Sequence, residues 1–176
     1  MTGDRVDIRI ANKDDVRFIA LLGRVTFTET FGHLFRDKQD LFAYCDATFS
    51  VRKIDASMQK SDSVYWIAFK DQVAVGYAKL KLNSPSEFIN SEKVCQLQKI
   101  YVLKAYLSLK IGFGLQNALF EKAKEKGFHS IWLSVLNSNE RALSFYRKNG
   151  LQEIGQHDFQ IGKEKFEFTV MSKSLN

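Results

Sequence analysis

The chain is 176 residues long, 45% apolar and 26% charged, with one proline and fifteen phenylalanines, which fits one packed domain with a core over about residues 7–173 and excludes a disordered chain. The net charge of +6 comes from scattered lysines whose densest run, Lys122 to Lys126, alternates with Ala123 and Glu125 like a solvated helix face, so no nucleic-acid partner is expected. No run approaches the roughly 20 apolar residues that span a bilayer, and the first ten residues lack the apolar block of a secretory signal; no membrane partner and a cytoplasmic location are expected.

Residues 7–11 alternate apolar and polar side chains as a strand does, and Asn12 with Asp15 three residues later marks a helix start. Val16, Ile19, Ala20 and Phe27 share one helical face, with Gly23, Thr26, Thr28 and Thr30 predicting a bend or break before Phe35. Asp37 caps a second helical region to about Lys60, with a break near Ser50. Residues 64–69 and 73–82 read as an antiparallel hairpin turned by Lys70, Asp71 and Gln72, residues 83–90 as a loop, and residues 93–102 as a long strand.

The period then changes. Ile111, Leu115, Ala118, Leu119 and Ala123 mark a helix ending before Gly127, and residues 130–135 a short buried strand. Asn137 and Glu140 resemble a capping box for a helix with Ala142, Phe145 and Tyr146 on one face, stopped by Gly150. Residues 152–161 and 165–172, turned at Gly162 and Lys163, close the chain as a hairpin. The order describes a mixed α/β domain. Cys45 and Cys95, each inside an apolar element, read as buried thiols, and no spacing of histidine, cysteine or carboxylates suits a metal.

Two segments carry chemistry. In QLQKIYVLKAYLSLKIGFGLQNAL, residues 96–119, a strand runs through a short loop into a helix that starts near two glycines; helix N-terminal N–H groups favour a phosphate, and glycine lets the backbone approach it. In NSNERALSFYRKNG, residues 137–150, followed by Leu151, the pattern Asn-x-x-Ala-x-x-x-Tyr-x-x-x-Gly-φ falls on Asn139, Ala142, Tyr146, Gly150 and Leu151. With the strand, glycine-containing loop, helix and strand before it, this resembles the GCN5-related N-acetyltransferases over almost the whole chain.

The resemblance implies an α/β fold with a mixed, mostly antiparallel central sheet of about seven strands, about four helices and a splayed parallel strand pair forming an acyl-CoA cleft. It implies acetyl-CoA as co-substrate, no metal, and direct transfer to a primary amine of a small molecule, polyamine-like as a first expectation, or of a peptide. The pantetheine arm is expected on Ile100, Tyr101, Val102 and Asn139, and the diphosphate on Ser108, Leu109, Lys110, Ile111, Gly112, Phe113 and Gly114. The family's Gln/Arg-x-x-Gly-x-Gly/Ala motif is altered and fits in two registers. Loop length places it on Leu107, Lys110 and Gly112, the preferred register; matching the glycines places it on Leu109, Gly112 and Gly114.

Tyr146 stands at the family's tyrosine position and is the expected catalytic acid as well as a cofactor contact, because a phenol has a proton to give a departing thiolate. The glutamate that many relatives carry before the loop falls on Gln96, with Gln98 two residues later, and a carboxamide cannot take a proton. Glu29 and Gln98 are candidate acceptor-binding residues, and Glu29 and His33 candidate bases; His129 and His157 have no partners in the sequence pattern. The missing glutamate and altered loop motivate an alternative, a catalytically retired acyl-CoA-binding regulatory module. A homodimer through the terminal hairpin or the aromatic early helices is a further expectation of the resemblance.

Overall fold

In the computed structural model, which describes residues 5–176, the alternating segments form seven strands. These are β1 (Val6–Ile10), β2 (Ser63–Lys70), β3 (Val73–Lys81), β4 (Val94–Val102), β5 (Ser130–Leu136), β6 (Gln152–Ile161) and β7 (Glu164–Ser174). They make one sheet in the order β1-β2-β3-β4-β5-β7-β6, antiparallel except between β4 and β5. The helices are α1 (Val16–Phe31), α2 (Lys38–Thr48), α3 (Val51–Met58), α4 (Ile111–Glu125) and α5 (Glu140–Lys148). There is one more than expected because the region after Asp37 is two helices: the Asp37 carboxylate accepts from Gln39 N–H to start α2, and the Ser50 hydroxyl accepts from Lys53 N–H to start α3.

Two local expectations are corrected. α1 runs unbroken through Gly23, which is there for packing: the Phe49 ring lies so close that any Cβ would overlap it. Thr26 sits buried within the helix with its hydroxyl on the Leu22 carbonyl, so the chain changes course only after Phe31, in the 3-10 turn Gly32–Leu34. The cap of α5 is Asn139, whose side chain accepts from Ala142 N–H at 3.2 Å, whereas Asn137 accepts the Thr169 hydroxyl at 2.6 Å.

α4 and α5 cover one face of the sheet, where Ile111, Leu115, Leu119 and Leu143 pack on Leu80, Cys95, Leu97 and Leu133. α1 to α3 cover the other, with Ile19 and Ile54 on Ile67 and Tyr77, and a separate aromatic cluster of Phe27, Phe35, Phe49 and Phe166 toward β7. The connection from α1 to α2 is fastened to the β6–β7 turn by Arg36 on Glu164 (2.8 Å), Lys163 on Asp37 (2.8 Å) and Lys163 N–H on Asp40 (2.8 Å).

The position of the site follows from two irregularities in β4. It pairs with β5 only from Val94 to Gln96, against Ser130 to Trp132, and beyond that β4 bonds β3 alone and β5 bonds β7 alone. Its register against β3 slips by one at Gln98, since Leu80 faces Leu97 but Lys79 faces Lys99. A one-residue bulge reverses the parity of every side chain after it. Cys95 and Leu97 face α4 before the bulge, Ile100 and Val102 after it, and Lys99 and Tyr101 are turned to the α1 side.

Candidate active site

A cavity of about 790 Å³ occupies the gap between β4 and β5 and is lined from both helix layers. Gly112, Phe113, Asn139, Ala142 and Tyr146 belong to the α4–α5 side; Phe27, Glu29, Tyr44, Lys99 and His157 to the α1–α2 and β6 side. The gap therefore connects the two faces of the sheet.

Its strand edge is open. Leu103 N–H donates to the Val75 carbonyl on β3 at 2.9 Å, and because successive residues of a strand alternate, the N–H and C=O groups of Ile100 and Val102 point the other way, into the gap. Tyr101 instead contributes its ring, edge-on to Phe49 at 6.1 Å and to Tyr77 at 5.6 Å. Groups that β5 would have bonded, had its pairing with β4 continued, are thus left for a ligand carrying amides.

After β4 the chain makes a 3-10 turn (Lys104–Leu109) and reaches Lys110 at φ 57°, ψ 21°, immediately before α4. That left-handed backbone favours glycine, and it falls where the register set by loop length expects the motif's first glycine. The first bonded N–H of α4 is that of Gly114, on the Lys110 carbonyl at 3.1 Å, so the N–H groups of Ile111, Gly112 and Phe113 have no acceptor within the helix. Lys104, Lys110 and Arg141 also line the cavity, and Arg141 donates to the Leu107 carbonyl at 3.2 Å.

Lys110, Gly112 and Phe113 are brought together at the cavity wall; Ser108 and Leu109 are exposed outside that lining, and the Ile111 side chain lies in the core. Gly114 faces away: a Cβ there would stand 2.6 Å from Ile8 Cδ1, so this glycine serves the close approach of α4 to β1. That geometry favours Leu107, Lys110 and Gly112 over the register that matched the glycines. A helix start with free N–H groups and three cations, beside an open strand edge, fits a ligand with a diphosphate and two amides, which is the chemistry of coenzyme A.

Tyr146 lies on the wall with 8% of its surface exposed, its ring 5.2 Å from that of Phe145. Its hydroxyl has no hydrogen-bond partner among the described residues, and burial pushes the phenol well above its ordinary value, so it carries its proton throughout the working pH range. Asn139 uses its side-chain oxygen to cap α5, which leaves its NH2 group for a ligand.

At the other end, Gln96 accepts the Ser84 hydroxyl at 3.1 Å, and Gln98, the bulged residue, lines the cavity. Glu29 lines it from the exposed end of α1 and accepts Lys104 N–H at 3.3 Å. His33 and His129 are exposed and outside the lining. Two residues on the wall went unrecognised in the sequence. His157 Nε2 lies 2.8 Å from Ser134 Oγ, with its ring stacked on Phe168 at 5.3 Å; the pair spans two strands with β7 between them, so no local spacing announces it. Lys99 is the other, hidden by the bulge. Burial, and then the charge of Lys79, lower its ammonium to about 8. No group of three or more histidine, cysteine or carboxylate side chains is placed to hold a metal among the described residues.

The sequence model of the acetyltransferase (GNAT) family matches residues 27–151, and the chain belongs to that family, the N-acetyltransferases that use acetyl-CoA. It is 28% identical over 179 residues to an uncharacterized N-acetyltransferase of Lactobacillus delbrueckii subsp. lactis, covering 99% of each chain. An uncharacterized N-acetyltransferase of Mycobacterium bovis is 25% identical over 137 residues, 78% of this chain and 83% of its own. Among solved structures, the PaiA N-acetyltransferase of Thermoplasma acidophilum in complex with coenzyme A shares the fold with a TM-score of 0.77 at 22% identity, over 97% of this chain and 99% of that one.

No helix among the described residues is long and apolar enough to cross a membrane.

Proposed function

We propose that the chain moves an acetyl group from acetyl-CoA directly to a primary amine of a small molecule or peptide. The observation that carries this reading is a single cavity that joins the anion-binding start of α4 to an aromatic chamber beneath α1, with the unpartnered Tyr146 hydroxyl on its wall. Bound acetyl-CoA supplies an activated acetyl thioester; positioning and proton management fall to the protein.

Val102 N–H, turned into the gap, is the donor for an oxyanion. Tyr146 is the proton source for a leaving thiolate. Gln96 and Gln98 cannot take the amine's proton, and His157 on the wall can: a proton on Nδ1, directed at the Asp158 carbonyl 3.4 Å away, leaves Nε2 to accept from Ser134 and, through it, from an amine. Glu29 at the exposed end offers a carboxylate to an incoming ammonium. Neither cysteine offers a thiol for a covalent intermediate, since Cys45 and Cys95 are both buried away from the cavity and burial pushes the Cys95 thiol up to about 12.

The polyamine-like acceptor meets an unfavourable balance: one carboxylate, Glu29, against Lys99, Lys104, Lys110 and Arg141 among the described residues of the wall. Titration calorimetry with acetyl-CoA and CoA, followed by thiol release over a panel of polyamines, amino acids and aminoglycosides, tests the reading. Saturable binding with release on one amine class is expected. Binding without release on any amine would favour the retired regulatory module, and absence of binding would overturn the reading altogether.

A further inference from the structure

Lys99 is the charge that acetyl transfer leaves unused. The bulge at Gln98 turns it to the α1 side of the cavity, where its Nζ lies 5.1 Å from the centroid of Phe49 and 5.5 Å from that of Tyr101. It makes no hydrogen bond and no ion pair among the described residues. Lys79 stands directly opposite on β3, so two like charges sit side by side on one face. No carboxylate offsets either the burial or the Lys79 charge that pull the Lys99 ammonium down to about 8. Glu29, the sole carboxylate on the wall among the described residues, is engaged with Lys104 N–H. An ammonium has three donors, and aromatic faces offer attraction but no lone pair in return. Buried charge without a partner is expensive, and it persists where a ligand completes it.

We propose that Lys99 anchors a carboxylate carried by the acceptor itself, so that the preferred acceptor is a small amine that also bears a carboxylate, such as a free amino acid. This rests on the acetyltransferase reading and narrows it. One negative charge matches one ammonium, whereas a phosphate dianion would leave a second charge against Phe27, Phe31 and Tyr44, and a polyamine would add positive charge beside Lys99. The aromatic wall suits an apolar remainder to that acceptor.

The test uses matched pairs, each apolar amino acid against its C-terminal amide, read by KM and kcat in thiol release and by calorimetric affinity for the complex with CoA. Wild type is expected to favour the acid by about 10- to 100-fold in KM and affinity, the range of a charge-assisted hydrogen bond. Lys99→Met, which keeps the apolar stem against Phe49 and Tyr101, should erase that preference by weakening the acid alone, with kcat on the amides and acetyl-CoA affinity kept. Lys99→Arg should retain it. A wild-type enzyme that binds acids no better than amides, or a preference that survives Lys99→Met, would overturn the subsite while the acetyltransferase reading stood. Loss of acetyl-CoA binding in wild type would strike that reading instead.

Discussion

Replacing Tyr146 by phenylalanine removes one oxygen from the cavity wall, and the structure fixes what that should and should not do. The hydroxyl holds no other residue in place, because it has no hydrogen-bond partner among the described residues, and the ring keeps its packing beside Phe145. A buried hydroxyl without a partner costs up to about 1–3 kcal/mol, so Tyr146→Phe should melt no lower than wild type. Coenzyme A affinity should be unchanged within about twofold, since the proposed diphosphate and amide partners lie on α4, β4 and Asn139. Turnover should fall by about 10²- to 10⁴-fold, the range of a positioned general acid.

The decisive assay compares two acetyl donors, acetyl-CoA and an acetyl thioester of a more acidic thiol, by rapid-quench thiol release. A thiol that leaves without help needs no proton, so the defect should shrink markedly with the second donor. An equal defect with both donors, or a turnover with acetyl-CoA that does not change, would remove Tyr146 from the acid role.

Lys110→Gly and Lys110→Ala separate backbone from side chain at the start of α4: both should weaken coenzyme A by about 2- to 5-fold at low salt. Only Lys110→Gly, relieved of a left-handed non-glycine residue, should raise Tm, by about 2–4 °C. His157→Gln should lower kcat/KM by about tenfold or more in thiol-release kinetics with calorimetric acetyl-CoA affinity intact, and a variant with full activity would exclude it as proton acceptor.

Asp15 closes the capping box of the 3-10 turn Lys13–Asp15 that leads into α1, accepting Asn12 N–H (2.8 Å) and both ends of the Arg9 guanidinium (2.7 and 2.8 Å), chiefly the Arg9 bonds holding its carboxyl below the usual carboxylate range. The stability it contributes is therefore present above its unfolded value near 3.9 and is lost as pH falls through the lower folded value. Asp15→Asn should lower Tm at pH 7 by about 3–6 °C, and calorimetric scans should show the gap from wild type closing below about pH 4.

The elements were legible because their signals are local. Residues 64–69 and 73–82 alternate as strands should, and Asp71 and Gln72 do turn them, at φ 49° and 68°. Tyr146 and Asn139 were readable from a fixed spacing on one short helix. Gly23 misled because glycine's low helix propensity is a local penalty, and the Phe49 ring that requires it is 26 positions away, at the end of α2. At the start of α4, the two glycines were visible but their division of labour was not: one faces the cavity and the other faces Ile8, and only the packing of α4 on β1 tells them apart.

The sequence by itself determined the seven strands, the helix starts at Asp37 and Ser50, and the spacing that marks the family, since periodicity, capping and short motifs act within a few residues. Tertiary structure alone decided which side chains share the cavity wall. Lys99 has the same parity as Cys95 and Leu97 in the chain, yet a single extra residue at Gln98 sends it to the opposite face. Ser134 meets His157 because β7 inserts between β5 and β6 and brings their side chains within reach across it. Register and strand order are properties of the whole sheet, fixed by burial summed over many residues, and no window of the sequence contains them.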